Sequence, residues 1–451
     1  MALTGIQILK MLPKKNCGEC GIPTCLAFAM KVAAGQSEIA ECPYVSDEVK
    51  ATIGEASAPP IRTIKIGKAD DSFTTGGETC LFRHEKRFEN PTGIAVLLTT
   101  DMSDADIDGR IERFKSLRYE RVGVLLKADL IAIKDTKGDE GAYTKLVQKV
   151  LDAAPDAKII LLGDDASVLK GGAKACGDRK PLLFGANASN LDAMIDAAKE
   201  TACPLGIKGS NLDDTVGISE KAMEAGLKDM VIDTGARTIR AALEDNVVAR
   251  RSAIRTKFKP LGFPTIMFPC EMTDDPLMEA MIASILVAKY AGIVVLSDLQ
   301  GEVLFPLLLE RLNIFTDPQR PMVVQEDIYS INGPAENSPV LITCNFSLTY
   351  FIVSGEIEGS KVPSWLLIKD TEGLSVLTAW AAGKFGADLI AQFMKKSGIE
   401  DKVKHRELII PGYLASIKGE LEEELPDWTI TIGPREAGHL PAFLKEWKPA
   451  A

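Results

Sequence analysis

Four cysteines stand near the start of this chain: Cys17, Cys20 and Cys25 in "PKKNCGECGIPTCLAF" and Cys42 in "AECPYVSD". The spacing is C-x2-C-x4-C, then sixteen residues, then C-P. Thiolates are ligands for soft metal centres, and Gly18 and Gly21 let the backbone pass close to an inorganic object. Structural zinc usually sits between two short C-x-x-C knuckles, and one is present here. Clustered ligands followed by a distant C-P match iron–sulfur ligation more closely, and four thiolates in one loop region suit a single [4Fe–4S] cubane. Four unrelated buried thiols are the remaining alternative. The apolar run from Leu26 to Val32 predicts a short helix, ended by Gly35, that carries the chain out and back to Cys42.

A second place for chemistry lies near the other end. The strand pattern "WLLIKD" runs into "TEGLSV" and then a helix, and "DWTITIG" runs into "PREAGHL" and then a helix. Open α/β sheets bind ligands at such joints, beyond the carboxyl ends of strands. Free backbone N–H groups there can meet carbonyl or phosphate oxygens. "LITCNFSLTYF" adds the hydroxyls of Thr343 and Thr349. The alternative is that these turns merely connect elements and the threonines satisfy strand ends.

Other chemistries lack their motifs. The sequence contains no G-x-x-x-x-G-K-[ST], no G-x-G, no G-x-S-x-G and no H-E-x-x-H. His84 in "FRHEKRF" and His405 in "KVKHREL" read as solvated surface residues, and His439 as a cap or packing residue. Cys80, Cys176, Cys203, Cys270 and Cys344 are isolated and read as small buried hydrophobes. Asp233 and Asp298 follow apolar runs and are the candidates for acid–base work, or else helix caps. The net charge of −11 argues against nucleic acid or an anionic membrane surface as partner. Apolar runs such as "LFPLLLE" fall short of a membrane span. "MALTGIQILKMLPKK" lacks a signal-peptide core, so the protein reads as cytoplasmic with reduced thiols.

The elements that must position these groups follow from periodicity. The 451 residues allow two or three domains. After the cysteine segment, "GEASAPPIR" has linker composition. From Thr92, eight apolar runs alternate with helical patterns: "GIAVLLT", "RVGVLLK" (adjoined by "LIAIKD"), "AKIILLG", "PLLFGA", "CPLGIKG", "DMVIDTG", "PTIMFPC" and "GIVVLSD". Buried parallel strands alternating with amphipathic helices predict a (β/α)8 TIM barrel, with an open doubly wound sheet second. "NIFTDPQRPMVVQEDIYSINGPAENSPV" reads as a connector. A small α/β domain follows, with strands "VLITCNF", "SWLLIKD", "RELIIPG" and "DWTITIG" and the helical stretches "SVLTAWAAGKFGADLIAQFMKK" and "LPAFLKEWK". The expected order is a cluster domain over 1–58, a connecting segment over 59–91, the barrel over 92–322 and the second α/β domain over 323–451.

The segments "KKNCGECGIPTCLAFAM", "LFRHEKRF", "AENSPV", "NFSLTYF", "DTEGLSVLTAWAAGKF" and "IGPREAG" together resemble the large (gamma) subunits of corrinoid iron–sulfur proteins, from the acetyl-CoA decarbonylase/synthase system of the reductive acetyl-CoA pathway. The likeness runs along the whole chain in order. The cysteine and "NFSLTYF" segments are specific and the barrel body is generic. It implies a [4Fe–4S] domain, a TIM barrel and a corrinoid-binding α/β domain, paired with a small barrel subunit. It implies a methyl carrier fed by a methyl-pterin:corrinoid methyltransferase and emptied by acetyl-CoA synthase/CO dehydrogenase. By this resemblance the cluster ligands are Cys17, Cys20, Cys25 and Cys42, and the corrinoid contacts are Thr343, Thr349, Gly373, Leu374, Ser375, Val376 and Ala437. No D-x-H-x-x-G is present, so no protein histidine is expected on the cobalt of this base-off corrinoid. The cluster is then expected to return an electron to cobalt that has been oxidised to Co(II). The rival readings are a pterin-dependent barrel methyltransferase with a structural cluster and a zinc-stapled scaffold.

Overall fold

The computed structural model describes residues 3–33, 37–121, 124–318 and 322–449. The chain clusters into two compact units. One comprises 1–81, 88–117 and 128–314, the other 82–87, 118–127 and 315–451.

In the first unit the cysteine segment is wrapped by three helices: α1 (Gly5–Met11), α2 (Cys25–Ala33) and α3 (Asp47–Ser57). Thr4 and Gln7 form a reciprocal capping box at the start of α1, satisfying two backbone donors at once. Ile8, Leu12, Ile22, Phe28, Val32, Cys42, Val45 and Ile53 make a small core of their own. The expected helix after Cys25 is present, and Gly35 lies outside the described residues. Gly54 to Ser57, the first part of the "GEASAPPIR" stretch, belongs to α3.

Next comes a hairpin, β1 (Ile64–Lys68) and β2 (Asp71–Thr75), in a region where the sequence shows little period. Ile64, Ile66 and Phe73 pack among inward side chains of the following barrel. A Cβ on Gly93, the first residue of β3 (Gly93–Thr99), would lie 2.5 Å from Phe73 Cζ, so the hairpin plugs the amino end of the barrel.

Two strands precede the second barrel strand: β4 (Tyr119–Arg121) and β5 (Val124–Leu126). They pair with each other and not with the barrel, which corrects the assignment of "RVGVLLK" as a barrel strand. Val124 and Leu125 are about half exposed, whereas a barrel strand must be buried on both faces. That position belongs to β6 (Leu130–Lys134), the buried "LIAIK". The remaining barrel strands are β7 (Lys158–Leu162), β8 (Leu182–Ala186), β9 (Leu205–Lys208), β10 (Met230–Asp233), β11 (Thr265–Met267) and β12 (Ala291–Leu296). The order β10-β11-β12-β3-β6-β7-β8-β9 closes on itself with every pair parallel. Ala95, Leu130, Ala132, Ile160, Leu182, Val231, Ile266 and Ile293 fill the interior.

Eight helices return the chain along the outside: α4 (Asp104–Ser116), α5 (Glu140–Ala153), α6 (Ala166–Ala175), α7 (Leu191–Thr201), α8 (Leu212–Glu224), α9 (Ile239–Arg251), α10 (Pro276–Ala288) and α11 (Gly301–Phe315). Ser103, Asp139, Asp165, Asn211, Thr238 and Asp275 accept backbone N–H groups as N-caps, each worth about 1 kcal/mol. Many polar residues at the carboxyl ends of the strands are therefore consumed by helix starts.

The second unit holds β13 (Asp327–Ile331), β14 (Val340–Cys344), β15 (Ser364–Lys369), β16 (Glu407–Ile410) and β17 (Thr429–Ile432) in the order β13-β15-β14-β16-β17. β13, inside the expected connector, is antiparallel to β15, and the other pairs are parallel. Alternate residues of β14 face opposite cores. Val340 and Ile342 join α14 (Ala387–Ser397) and its neighbours, and Leu341 joins α12 (Ser347–Ser360) and α16 (Leu440–Glu446). The long helical stretch expected from Ser375 is broken into α13 (Val376–Ala381) and α14. Gly383 sits at φ 69°, and Lys384 N–H returns to the Ala379 carbonyl at 2.8 Å, a glycine C-cap that ends α13. The β4–β5 hairpin clusters with this unit, with the Arg121 guanidinium 4.2 Å from the Phe351 ring centroid.

Candidate functional site

Three of the four early cysteines, Cys20, Cys25 and Cys42, belong to the small core around α1 to α3. Cys17 is exposed, Cys20 and Cys25 are partly buried against that core, and Cys42 is buried within it. Cys25 opens α2, and Cys42 closes a 3-10 turn over Ile39–Glu41. The approach is built from left-handed residues: Lys14 (φ 54°), Asn16 (φ 49°), Gly18 (φ 75°) and Gly21 (φ 77°). Asn16 N–H points at Cys25 Sγ at 3.3 Å, and Cys25 N–H donates to Asn16 Oδ1 at 2.8 Å. An N–H aimed at sulfur stabilises a thiolate and tunes a bound cluster. Tyr44 donates to Glu19 Oε1 at 2.6 Å, and that bond with the Glu19 charge raises its phenol pKa. Lys15 Nζ stands 3.6 Å from the centroid of the Tyr44 ring. Among the described residues, no three His, Cys, Asp or Glu side chains converge closely enough for a single metal ion. Thiolates are the ligand chemistry of iron–sulfur clusters, and Cys17, Cys20, Cys25 and Cys42 all lie in this one segment.

The C-terminal cleft follows from topology. From β14 the chain crosses to β15 on one side and later to β16 on the other, so the order reverses at β14. The crevice past the carboxyl ends of such strands is where open sheets take ligands. A cleft of about 330 Å³ opens there. Its walls include Leu341, Ile352, Val353, Ile409, Ile410, Pro411 and Leu440. Thr343, Thr349, Ser375, Val376 and Ala437, five of the residues expected from sequence, also line it. Among the described residues the Thr343 and Thr349 hydroxyls have no hydrogen-bond partner, while Ser375 Oγ lies 3.0 Å from Thr378 Oγ1. Gly373 and Leu374 stand behind the lining. Gly373 N–H donates to Asn345 Oδ1 at 3.0 Å, and the Leu374 carbonyl accepts from Thr371 Oγ1 at 2.8 Å. Apolar walls with free hydroxyls suit a macrocycle that has apolar faces and an amide fringe. A corrin is larger than this cleft, so part of it would be held here.

Sequence reasoning passed over Asn345 and Thr371, 2% and 1% exposed, which organise the loop after β15. It also missed Tyr413 and Glu436, joined at 2.7 Å on the cleft wall. The signal for Asn345 was its place at the carboxyl end of β14, inside the quoted "LITCNFSLTYF".

Among the described residues, no histidine lines the cleft. His405, expected in solvent, is half-buried. Its Nδ1 accepts from Glu407 N–H at 3.2 Å, so the ring is the Nε2–H tautomer donating to the Ser338 carbonyl at 2.9 Å. His84 is exposed and stacks on Phe82 at 5.6 Å. His439 occupies the cap position of α16, but its side chain makes no cap bond.

At the carboxyl end of the barrel, Asp233 is fully buried and paired with Arg237 at 2.8 and 3.1 Å. Arg237 Nε reaches Glu271 at 2.5 Å, and Lys134 reaches it at 3.3 Å. Burial pushes the Glu271 carboxyl up, but Arg237 and Lys134 outweigh it and hold the pKa low. Asp298 takes a bidentate bond from Arg113 at 3.0 and 2.7 Å. Asp233 and Asp298 are thus ion-pair partners rather than helix caps, and both carboxylates are held by guanidinium groups.

The chain thus joins a cysteine-bearing segment, a closed (β/α)8 barrel and an open α/β sheet with a cleft at its switch point. Residues 63–444 match the family model described as "CO dehydrogenase/acetyl-CoA synthase delta subunit", and residues 12–44 match one described as "Putative Fe-S cluster". The chain is 44% identical to "Corrinoid/iron-sulfur protein large subunit" of Moorella thermoacetica, covering 99% of each chain. It is 34% identical to "Acetyl-CoA decarbonylase/synthase complex subunit gamma" of Methanopyrus kandleri, covering 98% of each. A solved structure of dihydropteroate synthase from Thermus thermophilus aligns over 55% of this chain and 97% of its own, at 14% identity and a TM-score of 0.37. The chain belongs to the family of corrinoid/iron–sulfur protein large subunits and acetyl-CoA decarbonylase/synthase gamma subunits.

Proposed function

We propose that this chain is a corrinoid methyl carrier of acetyl-CoA metabolism, working with a small subunit, a methyl-pterin:corrinoid methyltransferase and acetyl-CoA synthase/CO dehydrogenase. The observation that carries the reading is the switch-point cleft, with apolar walls, free Thr343 and Thr349 hydroxyls and no imidazole among the described residues, on the same chain as four cysteines in one early segment. When bound, the corrinoid supplies a low-valent cobalt nucleophile that takes a methyl group from the pterin donor and passes it on, and a [4Fe–4S] cluster supplies the electron that restores oxidised cobalt.

The protein's own part is to hold and to insulate. Cys17, Cys20, Cys25 and Cys42 would hold the cluster, with Asn16 N–H tuning it. Thr343, Thr349, Ser375, Val376 and Ala437 would hold the corrinoid edge, with Gly373 and Leu374 shaping the loop behind. With no imidazole on the wall among the described residues, the cleft would offer cobalt no histidine ligand, which would favour its reduced form. The chain would thus be a methyl-transfer component rather than a self-sufficient catalyst. Four thiols that must stay reduced to take up a cluster suit the cytoplasm. Among the described residues, no helix is long and apolar enough to cross a membrane.

A Cys20→Ala variant tests the reading. Freshly pre-reduced variant should take a methyl group from the pterin donor and pass it on at the wild-type rate, whereas reductive reactivation of oxidised protein should slow by about tenfold or more. Equal reactivation would remove the cluster from the mechanism. Loss of transfer by pre-reduced, folded, corrinoid-loaded variant would show that the cluster serves the transfer itself.

A further inference from the structure

We infer that Asn345 is a positioning residue for the corrinoid, acting through the loop 370–375 and not by touching the ligand; this rests on the corrinoid reading of the cleft. Asn345 follows β14 directly and is buried to 2% exposure. Its Oδ1 meets Thr371 N–H, Thr371 Oγ1 and Gly373 N–H, each at 3.0 Å. Its Nδ2 donates to Asp370 Oδ1 at 2.7 Å, and that same oxygen accepts Glu372 N–H at 2.9 Å. One amide therefore ties four consecutive loop residues, either directly or through Asp370, to the strand that carries Thr343.

The loop needs this tie. Glu372 and Gly373 are both left-handed, at φ 56° and 77°, and a non-glycine residue there is strained unless its surroundings fix it. Immediately beyond, Ser375, Val376 and Leu377 line the cleft. Thr343 lies on β14 and Ser375 follows β15, so the spacing of the two walls depends on how the loop is held to β14. Asn is the side chain that accepts through one atom and donates through the other in this geometry. Asp in its place keeps the acceptor, loses the donor and sets two carboxylates against each other.

The test uses that polarity. Cobamide affinity and Gly373 amide hydrogen exchange are measured for wild type, Asn345→Asp, and the double variant Asn345→Asp/Asp370→Asn, in the complex with its small subunit. In the double variant the amide at position 370 can donate to the carboxylate at position 345, which relieves the charge repulsion, while the Glu372 N–H loses the oxygen it used. The single variant should bind cobamide about tenfold or more weakly and exchange Gly373 faster in cobamide-free protein. The double variant should bind more tightly than Asn345→Asp without full recovery. Thr371→Val, uncharged and close in shape, should weaken binding by a smaller factor and serves if Asn345→Asp does not fold. Wild-type affinity in both Asn345→Asp and Thr371→Val overturns the inference while leaving the corrinoid reading intact. Failure of wild type to take up cobamide overturns both.

Discussion

Gly412 and Gly433 press against each other at the base of the cleft: a Cβ built on Gly412 would lie 2.5 Å from the Gly433 carbonyl oxygen. The two loops are stitched at this point, with Gly412 N–H donating to the Pro434 carbonyl at 3.1 Å and Gly433 N–H to the Ile410 carbonyl at 2.9 Å. Alanine at 412 must push apart the segments that carry Pro411, Pro434 and Ala437. Gly412→Ala should cost about 1–3 kcal/mol in urea unfolding and reduce cobamide uptake. Gly438→Ala, where an added Cβ meets nothing within 4 Å, should do neither.

Arg250 and Glu78 form a buried pair at 2.9 Å, their side chains 5% and 7% exposed. Arg250 also donates to the Cys80 carbonyl at 3.0 and 2.7 Å. Burial raises the Glu78 carboxyl, against the pull of Arg250. Arg250→Ala should destabilise by about 3–5 kcal/mol because it strands a buried charge. A raised folded pKa means the native state holds a proton that the unfolded state releases, so stability falls as pH rises through that interval. The cost of Arg250→Ala should therefore shrink as pH is lowered from about 7 toward about 5, as read by urea midpoints.

Glu271 behaves in the opposite sense. Its folded pKa lies below the ordinary 4.5, since Arg237 and Lys134 outweigh burial. Its stabilisation is complete above about pH 5 and is lost as pH falls through the folded value. Arg237→Met should lower the unfolding midpoint most at neutral pH. The gap from wild type should narrow below about pH 4.5; a constant gap would show that Glu271 is not the partner that matters.

How much of this was legible follows from what each residue does. The barrel strands announced themselves because burial on both faces demands continuous apolar runs, and β7 to β12 are such runs. "RVGVLLK" carries the same composition but is a half-exposed hairpin, and composition alone does not distinguish it from "LIAIK". The β1–β2 hairpin was legible only as some strand character near Arg62–Ile66, because Ile64 and Ile66 bury one face over a short span. The cysteine spacing marked the early segment that matches an Fe–S family model over residues 12–44. Asn345 and Thr371 were not legible, because they act through loop hydrogen bonds that no periodicity encodes. Asp233 and Asp298 looked like acids or caps, since their arginine partners come from the following loop and from α4.

Burial pushes the Cys176 and Cys270 thiols up to about 12, whereas Cys17 is exposed. Iodoacetamide at about pH 8 should leave Cys176 and Cys270 unlabelled in folded protein, since the thiolate is the nucleophile. Cys17 should label after cluster removal and be protected in the loaded protein. Mass spectrometry reads both patterns, and equal labelling of Cys17 in the two states would remove it from the ligand set.

The most direct measurement is the metal content of the protein purified without oxygen together with its small subunit. Two centres on one chain predict about four iron and about one cobalt per large subunit, with the visible absorption of both. Iron without cobalt, or zinc in place of both, would contradict the account.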